Sequence, residues 1–247
     1  MRIIARLDIK NEFLIKGINL EGLRKIGLAN EIANDYYNQG IDEIIYIDSV
    51  ASLYSRDALL ELLKNSLKNI FVPITVGGGI NNLSDAKSYF DNGADKIFVN
   101  TGAIQNPKLI DKLVNTYGSA NICLSVEAKK ISPEAYNAFY SSGRDDSGIR
   151  VKNWIKEAQD RGVGEIFLTS VDNDGLQSGF NKDLINQVAD YVKVPLIVSG
   201  GYGQLEDLNS LHNNISGIAI GSSFHYKKTT PLEVKKYMKN IGYSVRL

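Results

Sequence analysis

Two stretches of this 247-residue chain constrain its fold more than any others: Val72–Ile80, reading VPITVGGGI, and Val194–Gly203, reading VPLIVSGGYG. Each is a β-branched run ending in glycines, the outline of a buried strand whose C-terminal loop brings backbone N–H groups close to a ligand. Pro73, Val76, Gly78, Gly79, Leu83 and Asp85 recur as Pro195, Val198, Gly200, Gly201, Leu205 and Asp207, an offset of 122. Gly40-Ile41-Asp42-Glu43 recurs as Gly162-Val163-Gly164-Glu165 at the same offset, and Arg6–Lys10 aligns with Ser125–Lys129 at 119. Such self-similarity marks a duplicated structural unit.

Apolar, β-rich runs occur at Ile3–Leu7, Glu43–Ile47, Val72–Val76, Lys96–Val99, Ile122–Val126, Glu165–Leu168, Val194–Val198 and Gly217–Ile220. Helical patterns such as Asn30–Tyr37, Ser84–Phe90, Lys108–Tyr117, Val151–Arg161 and Lys182–Tyr191 lie between them, with glycines 40, 93, 118 and 162 where helices should stop. Thr230-Pro231-Leu232-Glu233 opens the last helix as a capping box with proline at its first position. Eight alternating units predict an α/β fold, a (β/α)8 TIM barrel built from two half-barrels over about 1–120 and 121–247, as a single domain. An open doubly wound sheet is the competing fold, but it has no reason to show the duplication.

In such barrels the site lies at the C-terminal strand ends. The first half supplies Gly78 and Gly79, then Asn100 and Thr101; the second supplies Gly200 and Gly201, then Gly221 and Ser222. Glycine amides, hydroxyls and helix N-termini make an uncharged phosphate cradle. Two cradles across one mouth predict a ligand with a phosphate at each end; the plainer reading is that the glycines only make tight turns. Asp8 and Glu127 occupy matching strand ends, where opposed carboxylates suit acid–base work, unless they only partner Lys10 and Lys129. Lys16, Asp48, Thr169, Asp172 and Asp174 are further polar candidates.

Lys plus Arg and Asp plus Glu are 28 each, so no net field attracts nucleic acid or membrane. The N-terminus reads as neither signal peptide nor span, and lone Cys123 excludes a disulfide framework, so a soluble cytoplasmic protein is expected. Asp172-Asn173-Asp174-Gly175 lacks the distal glutamate of a calcium loop, and His212 and His225 have no metal-ligand spacing, so no metal is expected.

The motifs LDIK…IKG, TVGGGI, GADKIFVNTGAI, EIFLTSVDNDG, VSGG and SVRL together resemble the cyclase subunit of imidazole glycerol phosphate synthase, over essentially the whole chain. The resemblance implies a barrel that takes ammonia from a separate glutaminase partner, as a heterodimer, and no cofactor. The ammonia acts on a bis-phosphorylated ribulosyl formimino-carboxamide ribotide. The products are imidazole glycerol phosphate and aminoimidazole carboxamide ribotide. It assigns acid–base catalysis to Asp8 with Lys16 on the first loop, and phosphate binding to Gly79, Asn100, Thr101, Gly201, Gly221 and Ser222. Arg2, Glu43, Lys96 and Glu165 match an ammonia gate at the opposite end. The chain departs from the family pattern at Glu127, where the family has aspartate, and at Arg6, Phe98 and Tyr202, where it has small residues. Strand alternation points Arg6 and Phe98 into the barrel, where they would narrow an axial path. A buried Arg6 needs a carboxylate, Glu127 or Asp48. The altered mouth keeps two other readings open: a paralogous ammonia-using subunit for amidino modification of surface-polysaccharide sugars, and a non-catalytic, partner-activating barrel. The stretch Asn11–Gly27 reads as a long, glycine-punctuated loop, mobile before ligand binds.

Overall fold

A computed structural model describes residues 1–49, 57–209 and 211–247. Eight parallel strands close into a ring: β1 (Arg2–Lys10), β4 (Glu43–Asp48), β5 (Ile74–Gly77), β6 (Lys96–Val99), β7 (Ile122–Ser132), β10 (Glu165–Ser170), β11 (Leu196–Ser199) and β12 (Ile215–Ile220). Pairing of β10 with β7, and of β12 with β1, completes the barrel, leaving no open edge in the ring. The helices α1 (Ala29–Asn38), α2 (Asp57–Ser66), α3 (Leu83–Asp91), α5 (Lys108–Tyr117), α6 (Val151–Asp160), α7 (Lys182–Val188) and α9 (Pro231–Asn240) run between or after the strands. The (β/α)8 barrel expected from the duplication is the fold observed.

Among the described residues four strands stand outside the ring. The stretch read as a mobile loop is instead a hairpin, β2 (Phe13–Ile18) and β3 (Glu21–Leu28), which continues from β1. A second hairpin, β8 (Ala135–Tyr140) and β9 (Asp145–Arg150), continues from β7 in the same way. The duplication therefore reaches beyond the helices and strands that reveal it in sequence. Backbone pairing to an already formed barrel strand orders segments whose polar, glycine-containing composition reads as loop.

Alternation along each strand separates two cores. Ile3, Ala5, Leu7 and Ile9 of β1 face outward into the large cluster beneath the helices. Ile4, Ile45, Phe98, Cys123, Phe167, Ile197 and Ala219 fill the barrel interior. Phe98 and Phe167 pack there with ring centroids 4.8 Å apart, so the axis is a packed layer at this level. Each of the Ile and Phe side chains in this layer contributes about 1.5–3 kcal/mol of burial. The predicted capping box closes α9: Thr230 Oγ1 accepts the Glu233 N–H, and Glu233 Oε2 accepts the Thr230 N–H.

Candidate active site

The glycine loops of the two halves are alike in three dimensions as well as in sequence. Gly78 and Gly200 have φ of 117° and 89°, the region that favours glycine. A Cβ on Gly78 would sit 2.6 Å from the Asp48 carbonyl oxygen, and one on Gly200 would sit 2.6 Å from that of Ser170. Asp48 and Ser170 are themselves 122 apart, so each loop needs glycine because the end of the preceding barrel strand crosses it closely. Behind the loops, Asp85 accepts the Asn81 N–H and its counterpart Asp207 accepts the Gly203 N–H, each at 2.8 Å. Asn100 and Gly221 share an unusual backbone (ψ −87° and −83°) at the entry to two short helices, α4 (Thr101–Gln105) and α8 (Ser222–His225).

The mouth between them opens as two adjoining clefts. One, of about 190 Å³, is lined by Gly78, Gly79, Asn100, Thr101, Glu127, Asp48, Phe98 and the turn after β8. The other, of about 390 Å³, is lined by Arg6, Asp8, Lys16 and Glu127. Ile47, Ser49, Glu127, Ser142 and Arg144 border both. Gly201, Gly221 and Ser222 line neither cleft. The first hairpin lies over that side, and a Cβ on Gly221 would be 3.8 Å from Lys16 Cε.

Asp8 and Glu127 both border the mouth, in different surroundings. Arg6 Nε donates to Asp8 Oδ1 at 2.9 Å and Lys16 Nζ to Asp8 Oδ2 at 3.0 Å. Lys16 also donates to Asp174 Oδ2 at 2.8 Å, and Arg6 lies 3.5 Å from Asp174 Oδ1. All four side chains are buried, and two cations balance two anions. Burial alone would raise the Asp8 pKa, but the Arg6 and Lys16 charges and hydrogen bonds outweigh it and hold the carboxyl well below its usual range. Arg6 also reaches Thr169 on β10 and Ser199 on β11, each at 3.4 Å, with its guanidinium 5.9 Å from the Phe167 ring centre. The inward direction expected of Arg6 holds, while its expected partner does not. Asp8, two residues on along the same strand face, and Asp174 take the guanidinium in place of Glu127 or Asp48.

Glu127 has neutral direct partners. Its Oε2 accepts the Gly143 N–H at 2.7 Å. Burial pushes its pKa up to about 7, against the lowering effects of that hydrogen bond and of the Arg6 charge. Asp172 accepts the Lys130 N–H at 2.8 Å and so fastens β7 beyond the barrel. Among the described residues no group of His, Cys, Asp and Glu is placed to hold a metal ion.

At the far end of the axis, Arg2, Glu43, Lys96 and Glu165 form one ring. Arg2 donates to Glu43 at 2.7 Å and to Glu165, and Lys96 donates to Glu165 at 2.9 Å and to Glu43 at 3.4 Å. Thr75 Oγ1 adds a hydrogen bond to Glu43 at 2.7 Å. Burial lowers the basicity of Arg2 and Lys96, but the two glutamates more than restore it. These four residues, expected from the resemblance to form a gate, are therefore neighbours in a closed, charge-balanced layer beneath the apolar plug.

The second hairpin's turn borders the mouth through Ser141, Ser142 and Arg144, none of them a candidate from sequence. The duplication held the signal: a glycine turn beyond Glu127 is the counterpart of the stretch beyond Asp8 that carries Lys16.

Fold and site define a (β/α)8 barrel enzyme whose mouth sets two duplicated glycine cradles around a pair of carboxylates. A family model described as "Histidine biosynthesis protein" matches residues 2–230, and the chain belongs to that family. Relatives named imidazole glycerol phosphate synthase subunit HisF include that of Legionella pneumophila, 47% identical over 85% of this chain and 99% of its own length. Those of Natranaerobius thermophilus and Helicobacter hepaticus are 39% and 41% identical, each over 100% of this chain and 98% of its own.

Proposed function

We propose that this chain is the cyclase of an imidazole glycerol phosphate synthase. It uses ammonia to convert a bis-phosphorylated ribulosyl formimino-carboxamide ribotide to imidazole glycerol phosphate and aminoimidazole carboxamide ribotide. The observation that carries the reading is the duplicated mouth: two matched glycine cradles with Asp8 and Glu127 between them, in a chain of this family. The relatives' names favour this reaction over the sugar-modifying paralogue.

In this reading Gly78, Gly79, Asn100 and Thr101 hold one phosphate, and Gly200, Gly201, Gly221 and Ser222 hold the other. Glu127, with a pKa near 7, populates both protonation states at neutral pH and transfers the proton. Asp8 is the fixed anion beside it, Lys16 closes the first hairpin over the substrate, and Thr169 and Asp174 line its path. The chain acts as one domain of two half-barrels, residues about 1–120 and 121–247, without cofactor or metal. A glutaminase subunit docks at the end carrying Arg2, Glu43, Lys96 and Glu165, which gate ammonia; entry along the axis requires the Phe98–Phe167 pair to move. The heterodimer works in the cytoplasm; no described helix is long and apolar enough to cross a membrane.

The test supplies the pure chain with ammonium salt and the bis-phosphorylated substrate, which bypasses both partner and gate. Formation of both products is expected. No product at high ammonium overturns the proposal.

A further inference from the structure

The cradle of the first half is built, among the described residues, from uncharged groups. Gly78, Gly79, Asn100 and Thr101 carry no charge, and Glu127 lines the same cleft. A phosphate dianion beside a carboxylate is repelled unless a cation stands with it. Among the described residues Arg144 is the one cationic side chain lining this cleft. Lys16, which lies by the other cradle, is already engaged by Asp8 and Asp174.

Arg144 is delivered by a costly piece of backbone. Ser141, Ser142 and Gly143 are consecutive left-handed residues, with φ of 54°, 60° and 74°. Non-glycine residues in that region cost on the order of 1–3 kcal/mol each and persist where their surroundings impose them. Here the Ser141 N–H donates to Thr101 Oγ1 at 3.1 Å and the Gly143 N–H to Glu127 Oε2 at 2.7 Å. Asn100 Nδ2 donates to the Phe139 carbonyl at 3.3 Å. The turn is thus fastened to the cradle and to the carboxylate at once. Because Thr101 Oγ1 accepts from Ser141, its proton is left to donate elsewhere. Arg144 Nε donates to the Ser141 carbonyl at 2.8 Å, which sets the direction of the guanidinium and leaves its two terminal nitrogens as donors. Among the described residues Arg144 has no ion-pair partner.

We propose that Arg144 is a phosphate clamp, a second cationic hairpin residue that binds the phosphomonoester end lying in the Gly78–Gly79–Asn100–Thr101 cradle. The proposal rests on the bis-phosphate reading above and adds the residue that supplies charge to its uncharged end. Lys16 and Arg144 stand on different steps of their hairpins, so register alone does not pair them; what they share is a cation carried over a glycine cradle by a strand continuing from the barrel.

The full chain, Arg144→Ala and Arg144→Lys are titrated with inorganic phosphate by calorimetry, and their ammonium-dependent kcat and KM are measured separately. Arg144→Ala is expected to weaken phosphate binding and raise KM about tenfold, the scale of one charge-assisted hydrogen bond. Its kcat should stay within about twofold, as loss of uniform binding requires. Arg144→Lys should recover much of the affinity. Phosphate affinity unchanged in Arg144→Ala overturns the clamp. If the wild-type chain gives no product, the reaction reading fails, and the phosphate titration still decides for or against Arg144.

Discussion

The two sides of the mouth share a scaffold and differ in charge. Gly78 and Gly200 are forced by the same 2.6 Å approach of a neighbouring carbonyl. Yet Asp8 has a cation on each oxygen, whereas Glu127 takes its closest hydrogen bond from a backbone N–H. Both carboxylates are removed from water, and burial opposes ionisation of each. On one side Arg6 and Lys16 reverse that tendency; on the other nothing of equal strength does. Duplicated backbone therefore carries two unlike carboxylates, one locked as an anion and one poised near neutrality. That division suits a reaction needing a fixed charge and a mobile proton.

Breaking the poised side should have the largest effect. Glu127→Gln should lower ammonium-dependent turnover by about 10²- to 10⁴-fold, the range of a lost general acid–base group. Turnover within a few-fold of wild type, measured under saturating substrate, would remove Glu127 from proton transfer. On the locked side, Arg6→Met leaves Asp8 and Asp174 sharing Lys16 alone. Urea unfolding should show a loss of about 3–5 kcal/mol, the cost of stranding a buried charge. The scaffold itself should answer alike on both sides: Gly78→Ala and Gly200→Ala should each cost roughly 1–3 kcal/mol. A large difference between them would mean that the loops are less equivalent than their geometry.

The smallest effect is in the pH dependence of stability. Glu127 titrates near 7 when folded and at its ordinary 4.5 when unfolded, so the folded state holds an extra proton between those values. Its contribution makes stability fall as pH rises through that window. His225 acts in the opposite sense, because burial lowers its pKa from 6.5 to about 4, and stability is lost as pH falls from 6.5 towards 4. The two offset each other in the raw curve. Subtracting the Glu127→Gln curve from that of wild type should leave a decline with rising pH; a flat difference would contradict the assignment. Asp8, held low, adds stability that is fully present above 3.8 and is lost only below it.

Much of this was legible in the residues. Eight alternating units and the repeat offsets of 122 and 119 are enough to predict the barrel, the paired glycine loops and the opposed carboxylates, because duplicated glycines report duplicated close approaches. Alternation correctly turns Arg6 and Phe98 inward. The partner of Arg6 was not legible, since a long side chain inside a ring of strands can reach several carboxylates. The choice fell to Asp8, its neighbour on the same strand face, and to Asp174, beyond the end of β10. The hairpins were hidden for another reason. Asn11, Asn19, Gly22, Gly143 and Arg144 have the composition of loops, and the first strand of each hairpin, β2 or β8, exists by pairing with β1 or β7, a tertiary cause that local pattern does not carry.

Carbon-13 NMR of the side-chain carboxyls as a function of pH tests the division between the two sides most directly, with Glu127 and Asp8 assigned through Glu127→Gln and Asp8→Asn. The Glu127 carboxyl should titrate with a midpoint near 7, while Asp8 stays ionised down to the pH at which the fold is lost. Both carboxyls titrating together in the ordinary range near 4 would contradict the account.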